Sequence, residues 1–331
     1  MRHSHFTRLR VRLLVTVAAA LVAAGTSLPA QTGIAKEGAL FLLVPVGARS
    51  IARGQAAVAT RLGADGVWWN PAALGWLNRR EAAIDHAKNA FIAGDAVEAV
   101  FPAGRAGVLG ASLLYFNFGE QAATDEFGNT TGTIYPRAVV VAGSYAATFG
   151  DRVSAGVSYK LIRHSQTCGG ACQNQTTFSV STSAVDFGMH AVVGDSRRWT
   201  LGGAIRNAGF GLQTIDREQT DPLPARIHLG VDYLFGSLAG SLPGGSLHAT
   251  AEMVNQLDLD SPAFRIGGEL GIADRVFLRG GALTGSSDGS NASIGFGVKQ
   301  GTLSLDFART FGALSSEAGE PPTYVTLRVV F

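Results

Sequence analysis

Residues 225–235, ARIHLGVDYLF, decide the fold of this chain. Ala225, Ile227, Leu229, Val231, Tyr233 and Phe235 fall on one side, and Arg226, His228, Gly230 and Asp232 on the other. A period of two is the signature of a β-strand whose faces meet different surroundings. The same alternation sets Val153, Ala155, Val157, Tyr159 and Leu161 against Ser154, Gly156, Ser158 and Lys160. It sets Phe264, Ile266, Leu270 and Ile272 against Arg265, Gly267, Glu269 and Gly271. Val185, Phe187 and Met189 oppose Asp186, Gly188 and His190, and Leu303, Leu305 and Phe307 oppose Ser304 and Asp306.

Outward from that stretch, about fourteen such segments are predicted, over 81–90, 94–102, 105–118, 133–149, 152–164, 178–193, 197–208, 224–236, 246–255, 263–272, 274–284, 291–299, 302–311 and 322–331. Most reach the roughly nine to eleven residues that a tilted strand needs to cross a bilayer. Their connections alternate in length. Segments 101–105, 149–152, 194–197, 273–275 and 299–301 read as tight turns. Longer polar loops are expected at 119–132, 163–177, 207–223, 255–262, 284–291 and 312–322. The misfit is 236–245, long where a tight turn is due. Turns on one side and loops on the other are the habit of outer-membrane barrels, and a soluble sandwich has no reason to sort its connections so.

Composition agrees. Charged residues make up 16% of the chain and there are 43 glycines among 331 residues, whereas a soluble domain carries about 25% charge. Lys160, Asp186, His190, Arg206, Arg226 and His228 oppose the apolar band and are read as lumen-facing, as are Glu252, Arg265, Glu269, Arg279, Asp306 and Arg328, with Asp232 and Lys299 beside them. An arginine turned to mid-bilayer lipid would cost about 2–4 kcal/mol. Unpaired backbone is intolerable in hydrocarbon, so a spanning sheet must close. The expected fold is an all-β, fourteen-stranded antiparallel transmembrane barrel.

Residues 1–30 read as an export leader. Arg2, Arg8, Arg10 and Arg12 precede an apolar run from Leu13 to Ala24, too short to span a bilayer as a helix. Leu28-Pro29-Ala30 before Gln31 is the expected cleavage site. In an exported chain Cys168 and Cys172 of CGGAC are first read as a local disulfide. The alternatives are free thiols or a metal site, for which His164 is the only nearby extra ligand.

The stretch 47–74, GARSIARGQAAVATRLGADGVWWNPAAL, is the least strand-like part of the expected mature chain. Four glycines divide it, and its small residues suit close approach to other backbone. Trp68 and Trp69 stand directly before Asn70-Pro71-Ala72, and Asn-Pro marks a corner. Residues 31–80 are therefore read as a plug inside a barrel formed by 81–331. A barrel of fourteen strands has a lumen too wide for its own side chains to fill. The terminal strand puts Val325, Leu327, Val329 and Phe331 on one face, and Phe331 resembles the signal that barrel-assembly machinery reads.

These pieces together resemble the PorV/PorQ family, itself similar to the long-chain fatty acid transporter (FadL) family. The resemblance rests on Gly47–Ala59 with Trp68–Leu74, on Ile205-Arg206-Asn207-Ala208-Gly209, on Pro222–Gly230, on Gly267–Leu270, on VFLRGG at 276–281 and on SLDFARTF at 304–311. Asn70-Pro71-Ala72 resembles the NPA motif of FadL-type hatches. The resemblance implies a fourteen-stranded barrel and a role in type IX secretion, receiving exported cargo beside secretion-complex proteins. Its FadL side implies passage of a hydrophobic ligand through the wall instead, with an apolar pocket beside Trp68, Trp69 and Phe41. The expected partners are outer-membrane lipid, barrel-assembly machinery, and either secreted protein or hydrophobic ligand.

Other classes are excluded. There is no basic patch of the kind nucleic acid requires. Asp85 and His86 with Ser144, or Asp186 with His190, could be written as catalytic sets, but in a strand residues four apart share a face by parity alone. No nucleophile elbow, metal motif or phosphate loop occurs. No enzyme activity, catalytic residue, cofactor or metal is expected. Intact-mass measurement of protein extracted from envelopes should give an N-terminus near Gln31; a chain still starting at Met1 would remove the leader reading.

Overall fold

The computed structural model describes residues 37–88, 93–172, 177–212, 221–235, 244–257, 259, 262–285, 291–312 and 321–331. All lie in one compact unit, residues 35–331. Its strands are β1 (Glu81–Lys88), β2 (Ala93–Pro102), β3 (Val108–Asn117), β4 (Gln121–Thr124), β5 (Thr130–Phe149), β6 (Val153–Gly170), β7 (Phe178–Val193) and β8 (Trp199–Gly209). There follow β9 (Arg226–Leu234), β10 (Ser246–Gln256), β11 (Ala263–Ile272), β12 (Val276–Thr284), β13 (Asn291–Gln300), β14 (Leu303–Gly312) and β15 (Thr323–Val330).

β15 pairs antiparallel with β1, Glu81 opposite Val330 and Lys88 opposite Thr323, and so shuts the cylinder. β3 pairs directly with β5, leaving β4 outside the ring as a short strand on β5 alone. Fourteen strands thus form a closed antiparallel barrel. Its two faces are inverted relative to a soluble protein. On β7, Phe187 is 54% exposed while Asp186 is 0% exposed. Ile84, Leu113, Leu161, Leu201, Leu278, Ile294 and Leu327 face out; Glu98, Lys160, His190, Glu252 and Asp306 are buried within.

The sequence-based spans differ from this at five places. β3 begins at Val108, because a 3-10 turn at Gly104–Ala106 comes first. β9 is shorter than expected, 226–234. β5 starts at Thr130, and the stretch expected as loop 119–132 contains β4. β6 runs on to Gly170, through residues read as loop. The 20-residue β5 and 18-residue β6 outlast the 8-residue β1. A strand that leaves the bilayer has water on both faces, so its alternation fades while its pairing continues. Of the anomalous connection 236–245, residues 236–243 lie outside the described residues.

Within the barrel, residues 40–76 form a helix at Ala48–Ala52, a helical turn at Gly66–Trp69, and 3-10 turns at Leu40–Leu43, Gly63–Asp65 and Pro71–Trp76. Inward-facing glycines let this segment lie against the wall. A Cβ on Gly281 would stand 2.2 Å from the Gly54 nitrogen, one on Gly267 2.1 Å from the Arg53 carbonyl oxygen, and one on Gly202 2.2 Å from the Val58 carbonyl oxygen. On the other wall, Gly156 meets the Pro71 backbone in the same way, and Gly188 meets the Asn70 side-chain oxygen. Backbone cannot yield as a flexible side chain can. Gly281→Val should therefore dislodge the segment, seen as faster proteolysis within residues 40–76 while the barrel still migrates as a compact, heat-modifiable band. Gly143→Val, on a glycine with nothing within 4 Å of the added carbon, should behave as wild type.

Candidate functional site

The site is the contact between the internal segment and the wall. Asn70 is extended (φ −159°, ψ 107°), as a residue before proline must be. Its Oδ1 accepts from the Ala72 amide at 3.0 Å, capping the turn that Pro71 starts. Its Nδ2 donates to the Val58 carbonyl at 2.7 Å and reaches the wall carbonyls of Met189 and Gly203 at 3.4 Å. One side chain thus joins two parts of the hatch to β7 and β8. Ala72 is held in turn, its carbonyl accepting from Ser154 Oγ at 2.7 Å. Its backbone nitrogen lies against Gly156 and Gly188, where a Cβ on either would crowd it.

Charged wall residues grip the hatch backbone. Glu252 Oε2 accepts from the amides of Ala57 and Val58 at 2.7 and 2.8 Å. Its Oε1 accepts from His228 Nδ1 at 2.8 Å and Arg265 at 3.2 Å. Glu81 Oε1 accepts from the Ala64 amide at 2.7 Å, and Thr326 Oγ1 from that of Ala48 at 2.8 Å. His190 donates from Nε2 to the Val58 carbonyl at 2.6 Å, which leaves Nδ1 to accept from Trp76 Nε1 at 3.3 Å.

The hatch contributes charges of its own. Arg49 forks onto Glu269, which also receives Arg279 at 2.6 Å; Arg279 reaches Asp306 at 2.6 Å. Arg53 pairs with Asp232 at 2.8 Å, and His248 holds that carboxylate's other oxygen at 2.9 Å. Arg328 of β15 bonds Asp65 of the hatch and Glu81. Such shared pairs are costly to break singly, about 3–5 kcal/mol each, because a buried charge is left alone.

Trp68 and Trp69 are 2% exposed, among cations. Lys160 Nζ sits 4.7 Å from a Trp68 ring centre, and the Arg206 guanidinium lies 5.4 Å from Trp68 and 5.3 Å from Trp69. Trp69 donates Nε1 to the Val46 carbonyl at 2.8 Å. Behind Lys160 the wall carries a bulge: Asn207 has φ +58°, donates its amide to Asp186 at 2.7 Å, and accepts from Lys160 at 2.8 Å. Lys160 also pairs with Asp186 at 2.6 Å. The two indoles thus carry cations on their faces and also belong to one apolar cluster with Phe41, Leu42, Leu114, Phe116 and Ile162.

Several sequence-selected residues lie apart from this network. Arg226 pairs with Glu37 near the loop end, at 2.7 Å. Cys168 and Cys172 form a disulfide at the outer end of β6. Phe331 is exposed, its backbone exchanging hydrogen bonds with Arg80. The written catalytic sets do not assemble. Asp85 faces in and accepts from Thr326, His86 faces out and pairs with Asp95, and Ser144 bonds Ser158. Residues the sequence reading missed are Arg49, Arg53, Asp65, Glu81, Glu98 and Asn207. Arg49 and Arg53 stand one helical turn apart among small residues, a signal that they project together. Nothing local distinguishes the others.

The family model for the type IX secretion system protein PorV matches residues 29–239. No curated protein sequence matches the chain. Among solved structures, the toluene transporter TbuX of Ralstonia pickettii aligns at a TM-score of 0.57 and 16% identity, over 86% of this chain and 96% of its own. The toluene transporter TodX of P. putida aligns at 0.61 and 13% identity, over 86% and 98%. A FadL homologue of Pseudomonas aeruginosa aligns at 0.51 and 14%, over 87% and 98%. At such identities the likeness is one of fold, a FadL-like barrel. Barrel and family point to the outer membrane, and to transport or secretion rather than catalysis. The match spans well over half of the sequence, and the chain belongs to the PorV family of type IX secretion system proteins.

Proposed function

We propose that this protein is a secretion or assembly component of the outer membrane that binds exported protein partners at its loop end. In this reading residues 1–30 are removed on export, 31–80 are the hatch, and 81–331 are the barrel, inserted by assembly machinery through the strand ending in Phe331. The observation that carries it is the hatch bonded across the lumen to Glu252, Glu81, Glu269 and Asp232. Lys160 and Arg206, with Asp186 behind them, stand over the Trp68 and Trp69 rings. What remains available is the outer rim. There Phe127 and Phe210 are 87% and 81% exposed, beyond walls that end sooner. Exposed aromatic side chains on a raised rim are the residues that anchor protein interfaces.

A second reading, passage of hydrophobic molecules, draws on a different observation. Phe41 of the hatch meets Phe116 at 6.0 Å and Phe118 at 6.1 Å, with His164 at 5.7 Å between ring centres. This apolar cluster lies toward the loop end.

Pull-down of tagged protein from detergent-solubilised envelopes separates the two. Secreted or secretion-complex proteins should co-purify, and Phe127→Ser with Phe210→Ser should cut their recovery about tenfold or more. Bound lipid or fatty acid without protein would move the assignment to transport. The hatch is tested independently in planar bilayers. Wild type should conduct poorly, and Glu252→Ala, which strips the Ala57 and Val58 amides of their acceptor, should raise conductance; a wide-open wild-type pore would refute the plug.

A further inference from the structure

Charge at the turn end of the barrel is unbalanced. Arg79, Arg80, Arg105, Arg152, Arg198 and Arg275 are all exposed there, and among the described residues none forms a close ion pair, Arg152 acting on Asp151 only at longer range. Lys299 is exposed at the same end. The carboxylates nearby are Asp151, Asp195 and Asp274, and Asp151 is taken by Arg197. In the lumen, by contrast, Arg49, Arg53, Arg265, Arg279 and Arg328 each hold a carboxylate. The loop end is mixed, with Glu120, Glu126 and Asp221 exposed beside Lys88, Arg137, Arg163 and Arg309. Turn ends of such barrels face the periplasm, so the free cations lie on the inner-leaflet side.

Their depth is set by a girdle of exposed aromatic residues just above. Phe101, Phe149, Trp199 and Phe331 face outward at this end. Trp199 packs on Tyr233 with ring centres 4.3 Å apart. Arg198 directly precedes Trp199, and Arg80 exchanges backbone hydrogen bonds with Phe331 at 3.1 and 2.9 Å. Arg152 follows Phe149 by three positions, and Arg105 follows Phe101 by four. Aromatic girdles mark the headgroup level, and a strand rises about 3.3 Å per residue. The guanidinium groups therefore stand within about 10 Å of the girdle, at the depth of lipid phosphates.

We propose that this arginine collar binds the phosphate groups of anionic phospholipids in the inner leaflet of the outer membrane. Arginine forks onto phosphate oxygens in bidentate fashion, and the free guanidinium groups have no internal acceptor to give up first. The girdle favours lipid over a soluble acidic partner, because it fixes the collar against the bilayer.

The test is quenching of Trp199 fluorescence in bilayers that contain dibrominated phosphatidylglycerol or dibrominated phosphatidylcholine. Trp68 and Trp69, enclosed in the lumen, add a constant background, and the half-buried Trp76 is removed by Trp76→Phe in every protein measured. Phosphatidylglycerol should be preferred about fivefold at low salt, the effect of roughly one arginine contact at a charged surface. The preference should shrink toward one in about 0.5 M salt. It should vanish in the variant Arg105→Gln, Arg152→Gln, Arg198→Gln, Arg275→Gln, and persist in Glu120→Gln, Glu126→Gln. A heat-modifiable band establishes that each variant is folded; if the quadruple variant is not, Arg105→Gln with Arg152→Gln should still lower the preference. Equal quenching of wild type by both lipids overturns the proposal. So does a preference that survives the collar variants, or an acidic periplasmic protein that binds wild type and not the quadruple variant when no lipid preference is seen.

Discussion

Hydrocarbon offers no hydrogen bonds, and that constraint runs through the whole molecule. It forces the sheet to close, Glu81 against Val330 at the seam, because an edge in lipid would leave backbone groups unpaired. It turns apolar side chains outward and charged ones inward. The charged ones then need partners of their own, since the lumen is too crowded to leave them in water. The hatch is the answer to that second demand. Its amides go to Glu252, Glu81 and Thr326, and its arginines to Glu269 and Asp232.

The hatch is consequently part of the barrel's electrostatics and not a loose stopper. Removing it would strand Glu252 with two acceptor sites empty and leave Asp232 with only His248. The wall glycines work in the same direction. Each brings hatch backbone close enough for those carboxylates to reach it, as Gly202 and Gly230 do around Val58. Asn70 then fixes the register, with bonds to Val58, Met189 and Gly203.

Much of this was legible in the residues. Alternation located all fourteen barrel strands, because a lipid face and a lumen face differ in chemistry at every second position. It failed where that difference ends. The first residues of β5, the last of β6 and the short β4 lie in water on both sides, and residues such as Thr167, Gly169 and Ala122 carry no period. The bulge at Asn207 was invisible for another reason. It exists to aim an amide at Asp186, a contact between strands that no single strand encodes. Trp68 and Trp69 announced a packing site with Phe41, which the structure shows, but not the three cations on their faces.

By itself, the sequence determined which residues face lipid, how many strands cross, which end carries the loops, and that a small-residue segment with Asn-Pro would lie apart from the wall. These properties are local, set by side-chain parity, turn chemistry and the conformation imposed before proline. Closure of the ring decided the rest. Only when β15 meets β1 do Arg328, Glu81 and Asp65 come within reach of one another, and only a lumen of that radius brings Gly281 against Gly54. Ion-pair choice depends on distances across a cylinder, as between Arg49 and Glu269, 220 positions apart, and such distances have no counterpart along the chain.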